Sequence, residues 1–310
     1  MKKINLKALY KSLLLLLIPV AAMGFMPKIV IPTNIIVGDT VHLPILMYHQ
    51  LTKEPSRVCE YCVSVEQFGS DLDQLKKMGY NTVSLAQVIA FCETGEPLPP
   101  KPIVISFDDG FESFYVYAYP MLREREMRAV LAVIGEEAER FTRVEDHRLK
   151  YSCSPWKQLK EMADSGIVEL ASHSWDLHYK KKNGRFGADK KNDESVKSYR
   201  EVLRRDVEQM RQAFAENSLP PFEVYVYPYG EYSTESAEIL TALGIKAALI
   251  CDGRLNALRP GDTSRLMHLR RFNRVPGEFS FDGRKLKSVD DPKKDQGECP
   301  CGGGLYSRLT

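Results

Sequence analysis

The chain is short of several things at once, and each shortage excludes something. It has two tryptophans and six histidines in 310 residues, so a local concentration of either residue is informative. No internal repeat and no low-complexity tract interrupts it, which argues against solenoid, fibrous and disordered classes. Its charge is nearly balanced, 43 Lys and Arg against 41 Asp and Glu; no basic excess points to nucleic acid as a partner. Nor is there an unbroken apolar run of about 20 residues, the length a membrane-spanning helix needs. The nearest approach is Leu13 to Met26, preceded by Lys2, Lys3, Lys7 and Lys11 and ending near Ala21-Ala22-Met23-Gly24. A basic n-region followed by an apolar h-region makes residues 1–27 a signal peptide. With Ile29 to Val37 adding apolar length, the same segment reads alternatively as an uncleaved membrane anchor. Export to the extracellular space or cell surface is expected either way.

What remains is an ordinary globular composition, 44% hydrophobic and 27% charged. About 280 residues suit one α/β domain. Three short apolar runs within it end in chemistry-bearing turns. Ile103-Val104-Ile105-Ser106-Phe107 runs into Asp108-Asp109-Gly110. A strand this apolar is buried on both faces, so the two carboxylates emerge at its carboxyl end, where one can bind a metal and its neighbour act as a base. Ile167 to Ala171 runs into Ser172-His173-Ser174-Trp175-Asp176-Leu177-His178. Two imidazoles and one carboxylate leave a zinc-type ion with open positions for water and substrate. The five-residue spacing would separate the rings around a helix, so they must converge from a loop. Glu223 to Tyr227 runs into Pro228-Tyr229-Gly230, a third strand and turn.

These three turns, in this order, resemble the NodB-homology polysaccharide deacetylases, the family 4 carbohydrate esterases. Pro44-Ile45-Leu46-Met47-Tyr48-His49 and Leu98-Pro99-Pro100-Lys101-Pro102 bring the chain nearest to the subgroup acting on poly-N-acetylglucosamine. The resemblance spans residues 44–275 and leaves 276–310 as a polar tail. It implies a distorted (β/α) barrel of about seven units; on the bare alternation of strands and helices, an open doubly wound sheet is the rival. It also implies that Asp109, His173 and His178 bind a divalent metal, Zn²⁺ first, that Asp108 is the general base, and that the Tyr229 backbone N–H meets the oxyanion. The arginine that usually opens the third motif is missing, with Val226-Tyr227 in its place, so the base must be oriented in another way. The usual Leu-x-His acid is missing as well, Leu269-Arg270-Arg271-Phe272 standing there. In the subgroup the Met-Tyr-His histidine acts as general acid, which maps to His49; His268 is the competing candidate.

The expected activity is hydrolysis of N-acetyl groups on N-acetylglucosamine-type residues of a polysaccharide. Two rivals share the barrel: a non-catalytic glycan-binding surface protein, and an amidohydrolase acting on a small cyclic amide or imide. Among aromatic residues that could stack on sugar, Trp175 is assigned to the cleft, while Trp156 and Phe111 are assigned to the core. Seven cysteines are an odd number for an exported chain. Cys59, Cys62, Cys299 and Cys301 match a four-sulfur zinc site poorly and suit local or tail-to-loop disulfides better, whereas Cys92, Cys153 and Cys251 suit buried free thiols. Helices are expected over 68–78, 83–91, 156–163, 194–214 and 234–243, and Tyr179 to Lys197 as a surface loop.

Overall fold

The structure is a computed structural model that describes residues 40–180 and 184–277. The expected signal or anchor, Cys299, Cys301 and nearly all of the tail lie outside these residues. Among the described residues no helix is long and apolar enough to cross a membrane.

Eight short strands form the framework: β1 (Ile45–Tyr48), β2 (Pro102–Phe107), β3 (Ala129–Val133), β4 (Val168–Ser172), β5 (Val224–Val226), β6 (Ala247–Ile250), β7 (Leu269–Arg270) and β8 (Phe272–Asn273). Their order is β7-β6-β5-β4-β3-β2-β1-β8, with every adjacent pair parallel. β7 and β8 follow one another in the chain with only Arg271 between them, yet pair with opposite edges. The chain steps across the open seam in one residue. The sheet is thereby nearly closed, and the distorted (β/α) barrel is the observed architecture.

The strands form because their residues are mostly apolar, and all six residues of β2 are buried, as a two-sided burial requires. Inside the barrel, Ile45, Val104, Val130, Ala132, Ala171, Val224, Ala247 and Leu249 make one cluster with Leu85, Val88, Ile89 and Cys92. The last four belong to a helix, so the barrel floor is plugged by it.

Among the described residues seven α-helices accompany the strands: α1 (Val65–Lys77), α2 (Leu85–Thr94), α3 (Tyr119–Glu124), α4 (Gly135–Val144), α5 (Trp156–Asp164), α6 (Val196–Glu216) and α7 (Ser236–Ala242). The floor helix α2 begins two residues later than the apolar pattern suggests. Ser84 and Gln87 form a reciprocal capping box there, and Gly95 ends it in the left-handed conformation; the cap outranks the apolar Val83 in setting the start. α4 is not evident from the pattern, because only Ala138 and Phe141 supply an apolar face to Gly-Glu-Glu-Ala-Glu-Arg-Phe-Thr-Arg-Val. The segment 184–195 is a loop, as expected, but it is partly buried: Arg185 and Ala188 are both buried.

Candidate active site

The carboxyl ends of β1, β2, β4 and β5 open on one mouth, and there the three motif turns meet. Each turn holds a non-glycine residue in the left-handed region: Asp109 at φ 70°, Ser174 at φ 74° and Tyr229 at φ 61°. Such conformations cost of order 1–3 kcal/mol each and persist where surrounding structure over-determines them. They reverse the chain directly after each strand and aim the side chains back over the barrel.

The result is a compact donor set. His178 Nε2 lies 3.3 Å from Asp109 Oδ1 and His173 Nε2 3.5 Å from the same oxygen; the three ligand atoms all lie within 4.8 Å of one another. His173 Nδ1 is 2.8 Å from the Val226 carbonyl, to which it donates, leaving the Nε2 lone pair turned toward Asp109. Asp109 Oδ1 is buried without a hydrogen-bond partner. Two imidazoles and a carboxylate oxygen around one point suit a zinc-type ion, so these residues fit a divalent metal. His173 is inaccessible, whereas the side chains of Asp109 and His178 stay 16% and 13% exposed, so the set is open to substrate on that side alone. Burial pushes His178 down to about 4 against the pull of Asp109, which keeps its imidazole neutral near pH 7. His173 is held above its usual value, the Asp108 and Asp109 carboxylates outweighing burial.

Asp108 is held differently. Arg271 Nη1 donates to its Oδ1 at 2.6 Å and Nη2 to its Oδ2 at 2.9 Å, and both side chains are buried. Burial alone would raise the Asp108 pKa, but Arg271, with His173 and His49 in support, holds it below the ordinary range. Asp108 is thus a carboxylate rather than an acid, at 3.9 Å from His173 Nε2. Arg271 answers the question left by the missing third-motif arginine. Sequence reasoning passed it over because its partner is 163 residues away; the signal was an arginine flanked by two alternating apolar-polar pairs, Leu269-Arg270 and Phe272-Asn273.

His49 closes β1 and faces the same groups: burial lowers its pKa while Asp108 and Asp109 act against that. Its Nδ1 is buried and unpartnered, and its ring meets the edge of Tyr61 at 4.9 Å. His268, the competing histidine, instead stacks near Tyr232 at 4.9 Å, and the charge bearing on it is Arg270 rather than either aspartate. Tyr229 lies over His178, ring centroids 4.5 Å apart, and its hydroxyl donates to the His178 carbonyl at 3.3 Å.

A second residue not evident from the motifs is Asp206. It sits in the buried stripe of α6 with Tyr199, Leu203, Val207 and Met210, and a carboxylate in such a stripe is itself the signal. Its Oδ1 accepts from the backbone N–H of Trp175 at 2.9 Å and of Asp176 at 3.1 Å, so it braces the loop between the two histidines.

Two side-chain expectations need correction. Trp175 does not stand free in the cleft: it is half-buried, and a Cβ on Gly135 would fall 2.3 Å from its ring, so the ring packs on the first turn of helix α4. Cys92 and Cys153 are buried, but Cys251 is exposed, because it stands just beyond β6 at the barrel mouth. Its thiol still turns toward Arg271 Nη2, 3.3 Å away.

Comparison with known proteins gives a consistent set of likenesses. Residues 95–248 match the polysaccharide deacetylase family model. The chain is 33% identical over 187 residues to a poly-beta-1,6-N-acetyl-D-glucosamine N-deacetylase of Escherichia coli (strain K12), covering 55% of this chain and 28% of that protein. It is 26% identical over 190 residues to the protein of that name in Staphylococcus aureus (strain MSSA476), covering 60% of each. The chain therefore spans less than two thirds of the length of these curated relatives. Among solved structures, IcaB from Ammonifex degensii superposes with a TM-score of 0.61 at 26% identity, over 77% of this chain and 93% of that one. A de-N-acetylase from Aggregatibacter actinomycetemcomitans shares the fold, with a TM-score of 0.62 at 24% identity over 77% of this chain and 97% of that one.

Proposed function

From the match of residues 95–248 to the polysaccharide deacetylase family model we propose that the chain hydrolyses the N-acetyl amide of N-acetylglucosamine residues in a polysaccharide, β-1,6-linked poly-N-acetylglucosamine first. The observation that carries this reading is one mouth holding an arginine-locked carboxylate, Asp108, beside the Asp109, His173 and His178 set. An N-acetyl amide resists neutral water, and a divalent ion of the zinc type, bound by Asp109, His173 and His178, would supply a water of lowered pKa and a polarised carbonyl.

The chain's own groups divide the remaining work. Asp108, ionised under Arg271, takes the proton from the attacking water. Tyr229, held at positive φ where β5 turns, offers its backbone N–H to the oxygen on which charge develops. His49 gives a proton to the departing amine nitrogen, without which the C–N bond would have to expel an amide anion. His49, half-buried, and Asp108, buried, share one mouth, where the acid and the base can serve one scissile bond.

We also assign the protein to the outside of the cell, exported through residues 1–27 and retained at the membrane where that segment stays uncleaved. The motivation is the lysine-flanked apolar start, and an intact N-terminus in the cytosolic fraction would contradict it.

The test of the activity is acetate release by protein lacking residues 1–27, with poly-β-1,6-N-acetylglucosamine, chitin oligomers, peptidoglycan and an O-acetylated glycan offered in parallel. Release from the first polymer at the highest kcat/KM is expected. Preference for any of the others would displace the substrate assignment, and no release from all four would overturn the enzymatic reading.

A further inference from the structure

Of the aromatic side chains weighed for sugar stacking from sequence, Trp156 and Phe111 are buried, as expected, and Trp175, assigned to the cleft, lies against Gly135. The structure leaves other rings in water at the same mouth. Tyr61 is 38% exposed and Phe186 36% exposed. Tyr61 touches His49. Phe186 stacks on Tyr229 at 5.0 Å with an interplanar angle of 22°, and Tyr229 in turn lies on His178. His49 follows β1 and His178 follows β4, which stand on opposite sides of β2 in the sheet. The two exposed rings therefore flank the Asp108 and Asp109 pair.

Phe186 is held in place by a built loop. Its neighbour Arg185 pairs with Glu194 at 2.7 Å and donates to the Asp189 carbonyl at 2.6 Å, and the Tyr199 hydroxyl donates to the Ala188 carbonyl at 2.7 Å. The Gly187 N–H donates to the Tyr179 carbonyl at 2.9 Å. Gly187 has φ 55°, and a Cβ there would lie 2.8 Å from the Pro228 carbonyl oxygen, so only glycine lets the loop press against the third motif. Fixing an apolar ring at the surface forgoes the burial that would stabilise the fold, and beside a reacting centre such a ring serves contact with the substrate. A pyranose presents a C–H face of matching size to an aromatic face.

We propose that Tyr61 and Phe186 are stacking platforms for the sugar residues on either side of the reacting N-acetyl residue, so that the site reads an internal stretch of polymer rather than a lone sugar. This rests on the deacetylase reading above. It requires kcat/KM per acetyl group to rise from the β-1,6-linked N-acetylglucosamine dimer to the hexamer. Phe186→Ala should cut the hexamer-to-dimer ratio by about 2- to 12-fold, the value of one aromatic contact, and Phe186→Tyr should preserve it. Tyr61→Ala should cut the same ratio independently. A ratio unchanged in both alanine variants, or a wild type indifferent to length, would overturn the inference while leaving the deacetylase in place. So would equal losses on dimer and hexamer in Phe186→Ala, which would make Phe186 a prop for Tyr229. Thermal melts and metal content of each variant separate these outcomes from misfolding. No acetate from either length by the wild type would overturn the deacetylase reading and this inference with it.

Discussion

Arg271 grips both carboxylate oxygens of Asp108, at 2.6 and 2.9 Å, from the single residue that bridges the barrel seam. One contact thus closes the sheet and sets the charge of the base. Arg271→Ala should leave Asp108 as a buried carboxylate without its main counter-charge, at a cost of about 3–5 kcal/mol in stability. Because Arg271 lowers the Asp108 pKa, its loss raises that pKa, and the acidic limb of kcat/KM must move to higher pH. Arg271→Lys keeps the charge but not the two-pronged grip and should fall between. An unmoved acidic limb in a folded Arg271→Ala protein would show that Asp108 is not the titrating base.

Metal and base functions should separate cleanly. Asp109→Ala removes a ligand and should lose bound metal and activity together, whereas Asp108→Asn should keep the metal and lose turnover. Chelation should abolish activity, and Zn²⁺ should restore it. Metal analysis beside kcat decides: if Asp108→Asn empties the site, the two aspartates share the ion and the division of roles is wrong.

Much of this was legible in the sequence, for a physical reason. Strands buried on both faces are near-continuous apolar runs, and the residues just past their ends are the ones that must turn, so Asp108, Asp109, His173, His178 and Tyr229 were marked by position as well as type. Arg271, Asp206 and Phe186 were not. Arg271 acts through a contact between the two ends of the domain, which no local pattern encodes. Asp206 interrupts an otherwise regular helical stripe and reads as an imperfection until its two N–H partners are seen. Phe186 lies in a lysine-rich loop whose composition reports solvent, while its anchoring comes from Glu194 at the far end of that loop and from Tyr199 and Pro228 beyond it. Trp175 failed in the opposite sense: its place between two ligand histidines suggested the cleft, but the smallness of Gly135 drew the ring into the helix layer.

Asp206 carries a pH signature of its own. Burial pushes its pKa up to about 7, above the value of about 3.9 for a free aspartate. The folded protein then holds a proton that the unfolded chain releases, so this group's contribution to stability is most favourable below about pH 4 and is lost as pH rises to about 7. Asp206→Asn keeps one oxygen for the Trp175 and Asp176 N–H groups and should flatten that part of the dependence. Asp206→Ala should release the loop between His173 and His178 and weaken metal binding by about 10- to 100-fold without removing a ligand. Denaturant melts between pH 4 and 8, with metal titrations at pH 7, test both; an Asn variant with the wild-type slope would remove Asp206 as the source.

The choice of acid is decided by comparing two histidines. His49 faces Asp108 and Asp109 from the end of β1 with an unpartnered buried Nδ1, while His268 lies against Tyr232 with Arg270 as the charge acting on it. Removing a positioned general acid typically costs about 10² to 10⁴ in rate. His49→Ala should therefore lower kcat by about that factor at unchanged metal content, and the basic limb of the pH profile, which reports the proton it donates, should shift or vanish. His268→Ala should stay within a few-fold of wild type. The assignment is lost if the first variant turns over normally and the second collapses. It is also weakened if a substrate with a better leaving amine fails to rescue His49→Ala, since an acid's absence matters least when the leaving group needs no proton.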